Sequence, residues 1–284
     1  MKTYLECLPC LLRQAVEAAG MATEDEELRR EVIQTVLREL QTVPADARPV
    51  DIAPRVHAAV REITGCEDPY LEVKRESNRL ALQAYPKAVE LASEAPDPLL
   101  AAAKLAAAAN IADSAVGRNF DFDAAMKRGL SGDFAIADYP QLKAHLERTS
   151  NLLYLADNAG EIVFDRLLLE RLAPYHVTLA VKSRPLLNDA TLDDVRAAGL
   201  DGLLPVVTTG DGWPRPDLRG ASEEFRAAFR QADVILAKGQ GNYEALSECD
   251  GNVFFLLIVK CPVIARDLCV NVGDLVLKKA GQHE

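Results

Sequence analysis

The sequence predicts an α/β protein whose mostly parallel sheet is covered by helices and is preceded by an all-helical N-terminal domain. Before about residue 150, apolar residues recur at helical spacing without a strong strand signal. After it, apolar β-branched runs alternate with helical stretches, which indicates βαβ units. The chain has 284 residues, 49% of them hydrophobic, so a sizeable core is available. We therefore divide it into a helical domain, residues 1–148, and an α/β domain, residues 149–284.

The first three predicted helices begin and end at recognisable signals. Residues 5–20 place apolar side chains on one helical face. Thr23 and Glu26 fit a capping box, in which Thr23 is the N-cap of the second helix. A third helix covers residues 51–64 and ends at Gly65, because glycine readily adopts the left-handed conformation that closes many helices.

Two longer segments complete the predicted helical domain. Residues 68–95 form one helix with a kink at Pro86, or two shorter helices. Residues 96–117 begin with proline and end with glycine, which is the usual asymmetry of a helix. The alanines of this second segment suit close packing against a neighbouring element.

The C-terminal half supplies the strands of the predicted sheet. The strand candidates are 152–156, 177–182, 204–208, Val234–Lys238, Val253–Ile258 and, as the weakest, 263–266. The helices predicted between them are 162–172, 192–198 and Glu223–Gln231. Right-handed crossovers between parallel strands place such helices on both faces of a sheet.

Composition argues against several classes of partner. The formal net charge is -11 at pH 7, unlike the basic surface of a nucleic-acid-binding protein. No apolar run in the sequence approaches the roughly 20 residues that span a bilayer. We expect a cytoplasmic protein without nucleic-acid or membrane partners, in which the six cysteines are reduced.

Polar side chains and glycines follow four of the predicted strands at the points where these strands end. In an open parallel sheet the carboxyl ends lie along one edge, where ligands bind. The residues concerned are Asp157, Asn158, Glu161, Lys182, Asp189, Thr208, Lys238, Gly239, Gly241 and Asn242. Four separate segments thus converge on one predicted edge, which a single turn does not explain.

The residue types at this edge favour a phosphate ester held beside a metal ion. Asp157, Asn158 and Asp189 offer the hard oxygen ligands that Mg²⁺ and Mn²⁺ prefer. Lys238 and Lys182 are compact cations that suit phosphate oxygens. Such a metal would polarise the phosphoryl oxygens or activate a water, while the lysines offset the developing charge.

Each of these features also has a structural explanation. Asp157 and Asn158 could form a turn and cap the following helix, and Asp189 could cap another. Gly239 and Gly241 let backbone N–H groups approach an anion, but a glycine-rich loop is often only a tight turn. The joint occurrence of these features at strand ends favours a functional site.

At these residues the sequence resembles the metal-dependent damage-control phosphatases, a family long catalogued as domain of unknown function 89. The combination of D-N-x-G-E at residues 157–161 with K-G-Q-G-N-Y-E at residues 238–244 is specific. The N-terminal "CLPC" matches the branch of this family that has a Cys-x-x-Cys pair. Matching stretches span nearly the whole chain and include "ADNAGEIVFD", "KSRPLLNDAT", "VVTTG", "ADVILAKGQGNYEAL" and "KCPVIARDLCVNVGDLVL".

The resemblance implies a Rossmann-like three-layer α/β/α arrangement for the C-terminal domain. It also implies hydrolysis of small phosphorylated metabolites, such as sugar phosphates or their damaged forms. Asp157, Asn158 and Asp189 would hold one divalent ion (Mg²⁺, Mn²⁺, Co²⁺ or Ni²⁺). Asp157, Glu161 and Lys238 would take part in catalysis. A metal-bound water is the preferred nucleophile, and an aspartyl-phosphate route through Asp157 is the alternative. The residues that would bind the substrate or its phosphate are Lys238, Gly239, Gly241, Asn242, Lys182, Asn110 and Asp113.

Some assignments keep an alternative at this stage. Asn110 and Asp113 are three residues apart on one helical face, so both could point at the site or serve the helix end. Cys7 and Cys10 supply two thiols, which favours a buried or redox-reactive pair over a zinc site. A non-catalytic metabolite-binding protein and a sugar or nucleotide transferase are the rival functions, because a fold does not fix a function.

Overall fold

The computed structural model describes residues 3–44, 46–110, 121–210, 214–249 and 251–281, and these form one seven-stranded sheet with helices on both faces. The strands are β1 (Phe134–Ala137), β2 (Asn151–Leu155), β3 (His176–Val181), β4 (Val206–Thr208), β5 (Val234–Lys238), β6 (Val253–Ile258) and β7 (Leu275–Lys279). The helices are α1 (Cys7–Ala22), α2 (Glu26–Gln41), α3 (Pro49–Thr64), α4 (Leu71–Glu94), α5 (Pro98–Ala109), α6 (Phe122–Ser131), α7 (Tyr139–Leu146), α8 (Glu161–Arg171), α9 (Leu192–Ala197), α10 (Glu223–Gln231), α11 (Gly239–Leu246) and α12 (Pro262–Leu268).

The sheet is mostly parallel. Its strands lie in the order β1-β7-β6-β5-β2-β3-β4. Strands β4, β3, β2, β5 and β6 pair in parallel, whereas β7 is antiparallel to β6 and parallel to β1. Every residue of β5 and β6 is buried, as expected for parallel strands that carry helices on both faces. The predicted α/β class with a mostly parallel sheet is confirmed.

Alternate side chains of the central strands pack into two apolar cores on opposite faces of the sheet. Phe254 and Leu256 of β6 lie in a core with residues of helices α4 to α9. Phe255 and Leu257 lie in a second core with residues of helices α1 to α3 and α10 to α12. Each fully buried side chain of this size contributes about 1.5–3 kcal/mol to stability. Both cores combine residues from either side of residue 148, and the domain boundary placed there stays a prediction.

One strand lies within the segment expected to be helical. Phe134–Ala137 forms β1, which pairs with β7, another strand that the sequence analysis did not identify. Conversely, the predicted strand at residues 263–266 is wrong, because these residues belong to helix α12. The thiol of Cys261 accepts a hydrogen bond from the N–H of Ile264 (3.5 Å) and so caps this helix. Periodicity alone does not separate a short apolar strand from a buried helical turn.

The start of α2 also differs from the prediction. Asp25 rather than Thr23 is the N-cap, since its carboxylate accepts hydrogen bonds from the N–H groups of Glu27 (2.9 Å) and Leu28 (3.3 Å). Thr23 accepts a hydrogen bond from the N–H of Asp25 (3.1 Å) just before the helix. Helix α4 continues through Pro86 as one helix. Among the described residues, no helix has both the length and the apolarity needed to cross a membrane.

The shared cores predict that residues 149–284 do not fold alone. This fragment would lack strand β1 and helices α1 to α7, whose side chains cover apolar residues on both faces of the sheet. We expect a fragment without a cooperative thermal transition, measured by circular dichroism, whereas the full chain melts cooperatively. A cooperative transition with sharp near-ultraviolet signals in the fragment would instead establish an independent domain.

Candidate active site

The carboxyl ends of three adjacent strands bring the predicted site residues together. Lys238 is the last residue of β5, Asp157 follows β2 after one residue, and Lys182 directly follows β3. Strand β2 lies between β5 and β3 and pairs in parallel with both. The three side chains are buried, with exposed fractions of 0%, 7% and 4% respectively. Charged groups therefore meet at one edge of the sheet and away from bulk water.

A backbone contact joins the turn after β2 to the loop after β3. Asn158 and Asp189 form an isolated antiparallel bridge. Next to it, the N–H of Ala190 donates to the carbonyl of Asp157 (2.7 Å). The backbones that carry the three predicted metal ligands are thus fixed relative to one another. The alternative that each of these residues serves only its own helix does not account for this link.

Gly239 allows the carboxylate of Asp157 to lie against the backbone at the start of α11, directly after β5. A Cβ atom at position 239 would be 1.8 Å from Oδ2 of Asp157, far closer than two non-bonded atoms can approach. Gly239 also has φ 76°, in the left-handed region that favours glycine. The glycine is required here by both the close approach and the backbone conformation.

Two amide side chains hold the acidic groups of the site. Nδ2 of Asn110 donates to Oδ2 of Asp157 (2.8 Å) and also to Oε2 of Glu161. Nδ2 of Asn158 donates to the same oxygen of Asp157 (2.8 Å) and lies 3.3 Å from Oε2 of Glu161. Asn110 is the C-cap residue of α5 and is fully buried, so the structure places it in the site. Asp113 lies outside the described residues.

Lys238 occupies the centre of the site and is completely buried. Its ammonium group donates to the carbonyl of Ala106 (3.1 Å), to Oε1 of Glu161 (2.5 Å) and to Oδ1 of Asp165 (2.5 Å). An ammonium group has three protons, and these contacts account for all of them. Direct contact between Lys238 and a phosphate therefore requires the exchange of one of these hydrogen bonds.

Asp165 was missed by the sequence analysis. It lies four residues after Glu161 on the same face of α8, and that spacing is the signal that could have identified it. Its Oδ1 accepts hydrogen bonds from Lys238 and from the hydroxyl of Tyr154 (2.7 Å). Burial and the charge of Asp165 raise the pKa of Tyr154, so the tyrosine stays a hydrogen-bond donor.

The charges in the site do not balance. Four buried carboxylates, those of Asp157, Glu161, Asp165 and Asp189, face the two buried ammonium groups of Lys238 and Lys182. Burial, together with the charges of Glu161 and Asp189, raises the pKa of Asp157 to about 7. Burial, again with Glu161, raises the pKa of Asp165 to about 6.

The pKa of Lys238 is raised as well, but by its charged neighbours and not by burial. Burial by itself would lower its pKa, but Asp165 and Glu161 raise it above the ordinary value for lysine. Lys260 also acts on Asp157 and lowers its pKa, but the buried carboxylates of the site still outnumber its buried ammonium groups by two. A divalent cation offsets a buried charge of this size.

The donor set fits a hard divalent ion that keeps some of its water. Asp157 and Asp189 provide carboxylate oxygens and Asn158 provides an amide oxygen, the ligand types that Mg²⁺ and Mn²⁺ prefer. No position among the described residues gathers three or more His, Cys, Asp or Glu ligands. Two carboxylates and one amide leave the remaining coordination positions to water or substrate, as is usual for Mg²⁺.

Helix α11 begins at this edge of the sheet. Gly239 is its first residue and Gly241 lies in its first turn, where backbone N–H groups have no partner within the helix. Such N–H groups attract anions. Nδ2 of Asn242 donates to the carbonyls of Ala156 (3.2 Å) and Lys238 (2.8 Å), and so joins the ends of β2 and β5.

Helix α4 contacts the site through Asn78 and Lys74, which the sequence analysis did not identify as site residues. Oδ1 of Asn78 accepts a hydrogen bond from the N–H of Gly160 (2.6 Å), in the turn that carries Asp157 and Asn158. The same asparagine donates from Nδ2 to Oδ1 of Asp194 (2.8 Å). Asn78 thus connects α4 to both segments that carry the predicted metal ligands.

Asp194 extends this network to the loop after β3. Its Oδ2 accepts hydrogen bonds from the N–H and the hydroxyl of Thr191, both at 2.8 Å, and closes a capping box on α9. Nζ of Lys74 lies 3.0 Å from Oδ2 of Asp194 and 3.4 Å from Oγ1 of Thr191. Thr191 is two residues from Asp189, so the network restrains the backbone that carries Asp189. Lys74, Asn78 and Asp194 are all buried.

Gly239→Ala should displace Asp157 and weaken the site. We expect a stability loss of about 1–2 kcal/mol from the left-handed backbone, and in addition a loss of divalent-metal affinity measured by calorimetry. Gly202→Ala is the matched control, because Gly202 has φ 78° and a Cβ atom added to it would have no neighbour within 4 Å. The control should lose similar stability and keep its metal affinity. Equal metal affinity in both variants would show that Gly239 does not position Asp157.

Asn78→Ala should destabilise the protein by about 1–3 kcal/mol in urea unfolding, because the N–H of Gly160 and a carboxylate oxygen of Asp194 lose a buried partner. Glu76→Ala is the control on the same helix. Glu76 forms an exposed ion pair with Arg79, so its removal should change stability by about 0.5 kcal/mol or less. If the two variants lose the same stability, the α4 network does not hold the site.

The chain matches a known family over nearly its whole length. A family model described as the damage-control phosphatase ARMT1-like domain matches residues 3–276. A protein named damage-control phosphatase from Archaeoglobus fulgidus is 36% identical over 298 residues, which cover 98% of this chain and 99% of that protein. A protein of the same name from Pyrococcus horikoshii is 35% identical over 285 residues, 97% of each chain.

A solved structure shows the same fold. The crystal structure of a DUF89 family protein from Pyrococcus horikoshii superimposes with a TM-score of 0.88 at 35% sequence identity, over 98% of this chain and 99% of that chain. An uncharacterized protein from Methanocaldococcus jannaschii is also 35% identical, over 98% of this chain and 96% of that protein. The family match and these relatives agree along the chain, and the protein therefore belongs to the ARMT1-like damage-control phosphatase family.

Proposed function

We propose that this protein is a metal-dependent phosphomonoesterase that hydrolyses small phosphorylated metabolites, such as sugar phosphates or damaged derivatives of them. The observation that carries the proposal is the unbalanced group of buried carboxylates beside the N-terminus of α11. Such a site can attract a divalent cation and a phosphate together. Relatives named damage-control phosphatase support a phosphatase.

Asp157, Asn158 and Asp189 would hold the metal, one of Mg²⁺, Mn²⁺, Co²⁺ or Ni²⁺. When bound there, it would act as a Lewis acid toward the phosphoryl oxygens. The backbone link between Asn158 and Asp189, and the seat of Asp157 against Gly239, support this assignment because they pre-organise the three side chains.

The phosphate would lie against the start of α11. The N–H groups of Gly239 and Gly241 can donate to its oxygens without losing an intrahelical bond. Lys182, whose Nζ lies 3.3 Å from Oδ2 of Asp189, supplies positive charge from the side of β3. Lys238 would act chiefly by offsetting the charges of Glu161 and Asp165, and Asn242 by holding the turn.

Glu161 is the group best placed to accept a proton from an attacking water. It is buried at the start of α8, and Asn110 and Lys238 hold its two oxygens in fixed directions. A general base needs such an orientation toward the proton that it takes. Asn110 would therefore position Glu161 and Asp157 at the same time.

Phosphate release tests the proposal. Protein stripped of metal by a chelator should release phosphate from a panel of sugar phosphates only after addition of Mg²⁺, Mn²⁺, Co²⁺ or Ni²⁺. Asp157→Asn and Asp189→Asn should each lose about 100-fold or more in kcat/KM, since a lost ligand removes several kcal/mol of transition-state stabilisation.

Asp193→Asn is the control for these variants, because Asp193 is an exposed residue of α9 that pairs with Arg196 close to the site. It should keep the wild-type rate. Full release without metal would contradict the metal site. Tight binding without release would favour a metabolite-binding protein, and transfer of phosphate to a sugar rather than to water would favour a transferase.

A further inference from the structure

A cavity lined by basic residues opens beside the candidate active site. It lies at the carboxyl ends of β3 and β4, facing helix α3, and is a small recess that opens to solvent. The described residues that line it are Pro54, Arg61, Lys182, Arg184, Pro185, Leu186 and Gly210. Three of these are cationic and none is acidic. We call it the Arg61–Arg184 cavity.

The three basic side chains reach the cavity from two separate segments: Arg61 from α3, and Lys182 and Arg184 from the loop after β3. Arg61 belongs to α3, and its Nη1 donates to the carbonyl of Pro185 (3.4 Å), which holds the guanidinium on the cavity wall. Arg184 lies in the loop after β3 and is exposed. The tip of this loop is tied to the end of β4, because Ser183 accepts a hydrogen bond from the N–H of Gly210 (2.8 Å). On a protein with a formal net charge of -11, such a convergence is a local exception.

Lys182 connects the cavity to the proposed metal ligands. It lines the cavity, and its Nζ lies 3.3 Å from Oδ2 of Asp189. In the sheet, β3 is the neighbour of β2, and β4 follows β3. Neighbouring strands lie about 4.8 Å apart, so the cavity is roughly 5–10 Å from the end of β2, where Asp157 lies, and roughly 10–15 Å from the end of β5, where α11 begins. A phosphate bound between Asp157 and the start of α11 is then one sugar length from the cavity.

We propose that the Arg61–Arg184 cavity is a second anion subsite, which selects phosphate monoesters that carry a further carboxylate or phosphate. The inference rests on the proposed phosphatase function and names its substrate class. The scissile phosphate lies at α11 and the metal ligands, and the second anionic group lies between Arg61 and Arg184. Guanidinium groups bind carboxylates and phosphates through paired hydrogen bonds, so either anion fits the cavity.

Matched substrates test the subsite. In wild-type protein, kcat/KM should be higher for 6-phosphogluconate than for glucose 6-phosphate, and higher for fructose 1,6-bisphosphate than for fructose 6-phosphate. In the first pair the additional anionic group is a carboxylate, and in the second pair it is a phosphate. For each pair we take the ratio of kcat/KM for the ester with the additional anionic group to kcat/KM for its partner. The double variant Arg61→Gln/Arg184→Gln should lower this ratio by about tenfold or more, because charge-assisted hydrogen bonds are lost.

Two further variants make the result specific. Arg55→Gln, on an exposed face of the same helix, should leave the ratio within about twofold, since Arg55 pairs with Glu39 outside the cavity. The single variant Arg184→Gln changes an exposed side chain, so a lower substrate ratio in this variant would not result from misfolding. A double variant that lowers all four rates alike, or leaves the wild-type ratios unchanged, would overturn the subsite.

Calorimetry separates this proposal from the proposed function. If the wild-type protein hydrolyses none of the four esters, the same ratios are taken from dissociation constants. A charge preference in binding that disappears in Arg61→Gln/Arg184→Gln would then support the subsite and contradict the phosphatase. Hydrolysis without any charge preference would support the phosphatase and contradict the subsite.

Discussion

The buried ammonium group of Lys238 is the contact on which the site depends. It joins three elements, because its protons go to Ala106 of α5 and to Glu161 and Asp165 of α8, while its own backbone ends β5. A buried ion pair of this kind contributes little net stability compared with apolar packing, but loss of one partner typically costs about 3–5 kcal/mol. The value of this arrangement is geometric: it sets the direction of α8 relative to the sheet.

The site therefore needs both halves of the chain. The acidic groups lie after the strands and on α8. From the N-terminal helices, Asn110 at the end of α5 donates to Asp157, and Asn78 within α4 accepts from the N–H of Gly160. Helix α3 adds Arg61 on the far side of the loop after β3. Because these contacts are polar and buried, small shifts of the helices would leave donors unpaired, which favours one defined arrangement.

The sequence predicted most of the sheet and the acidic part of the site, since both leave local patterns. Val234–Lys238 and Val253–Ile258 are apolar runs of strand length, and their predicted bounds agree with β5 and β6. Strand β1 has only four residues, with two of its positions exposed, so it carries little pattern. Asn78 and Gly160 are more than 80 residues apart in the chain, and no local pattern in a helix predicts a contact of this kind.

The pairing of β1 with β7 has a consequence for how the chain is made. Ala137 pairs with Leu277, which is synthesised 140 residues later. At about 5–20 residues per second, a ribosome needs roughly 7–28 s to supply that partner. Until then β1 has an unpaired edge, and unpaired edges recruit other chains. Because β1 has only four residues and two of them are exposed, the unpaired edge that other chains could contact during synthesis is small.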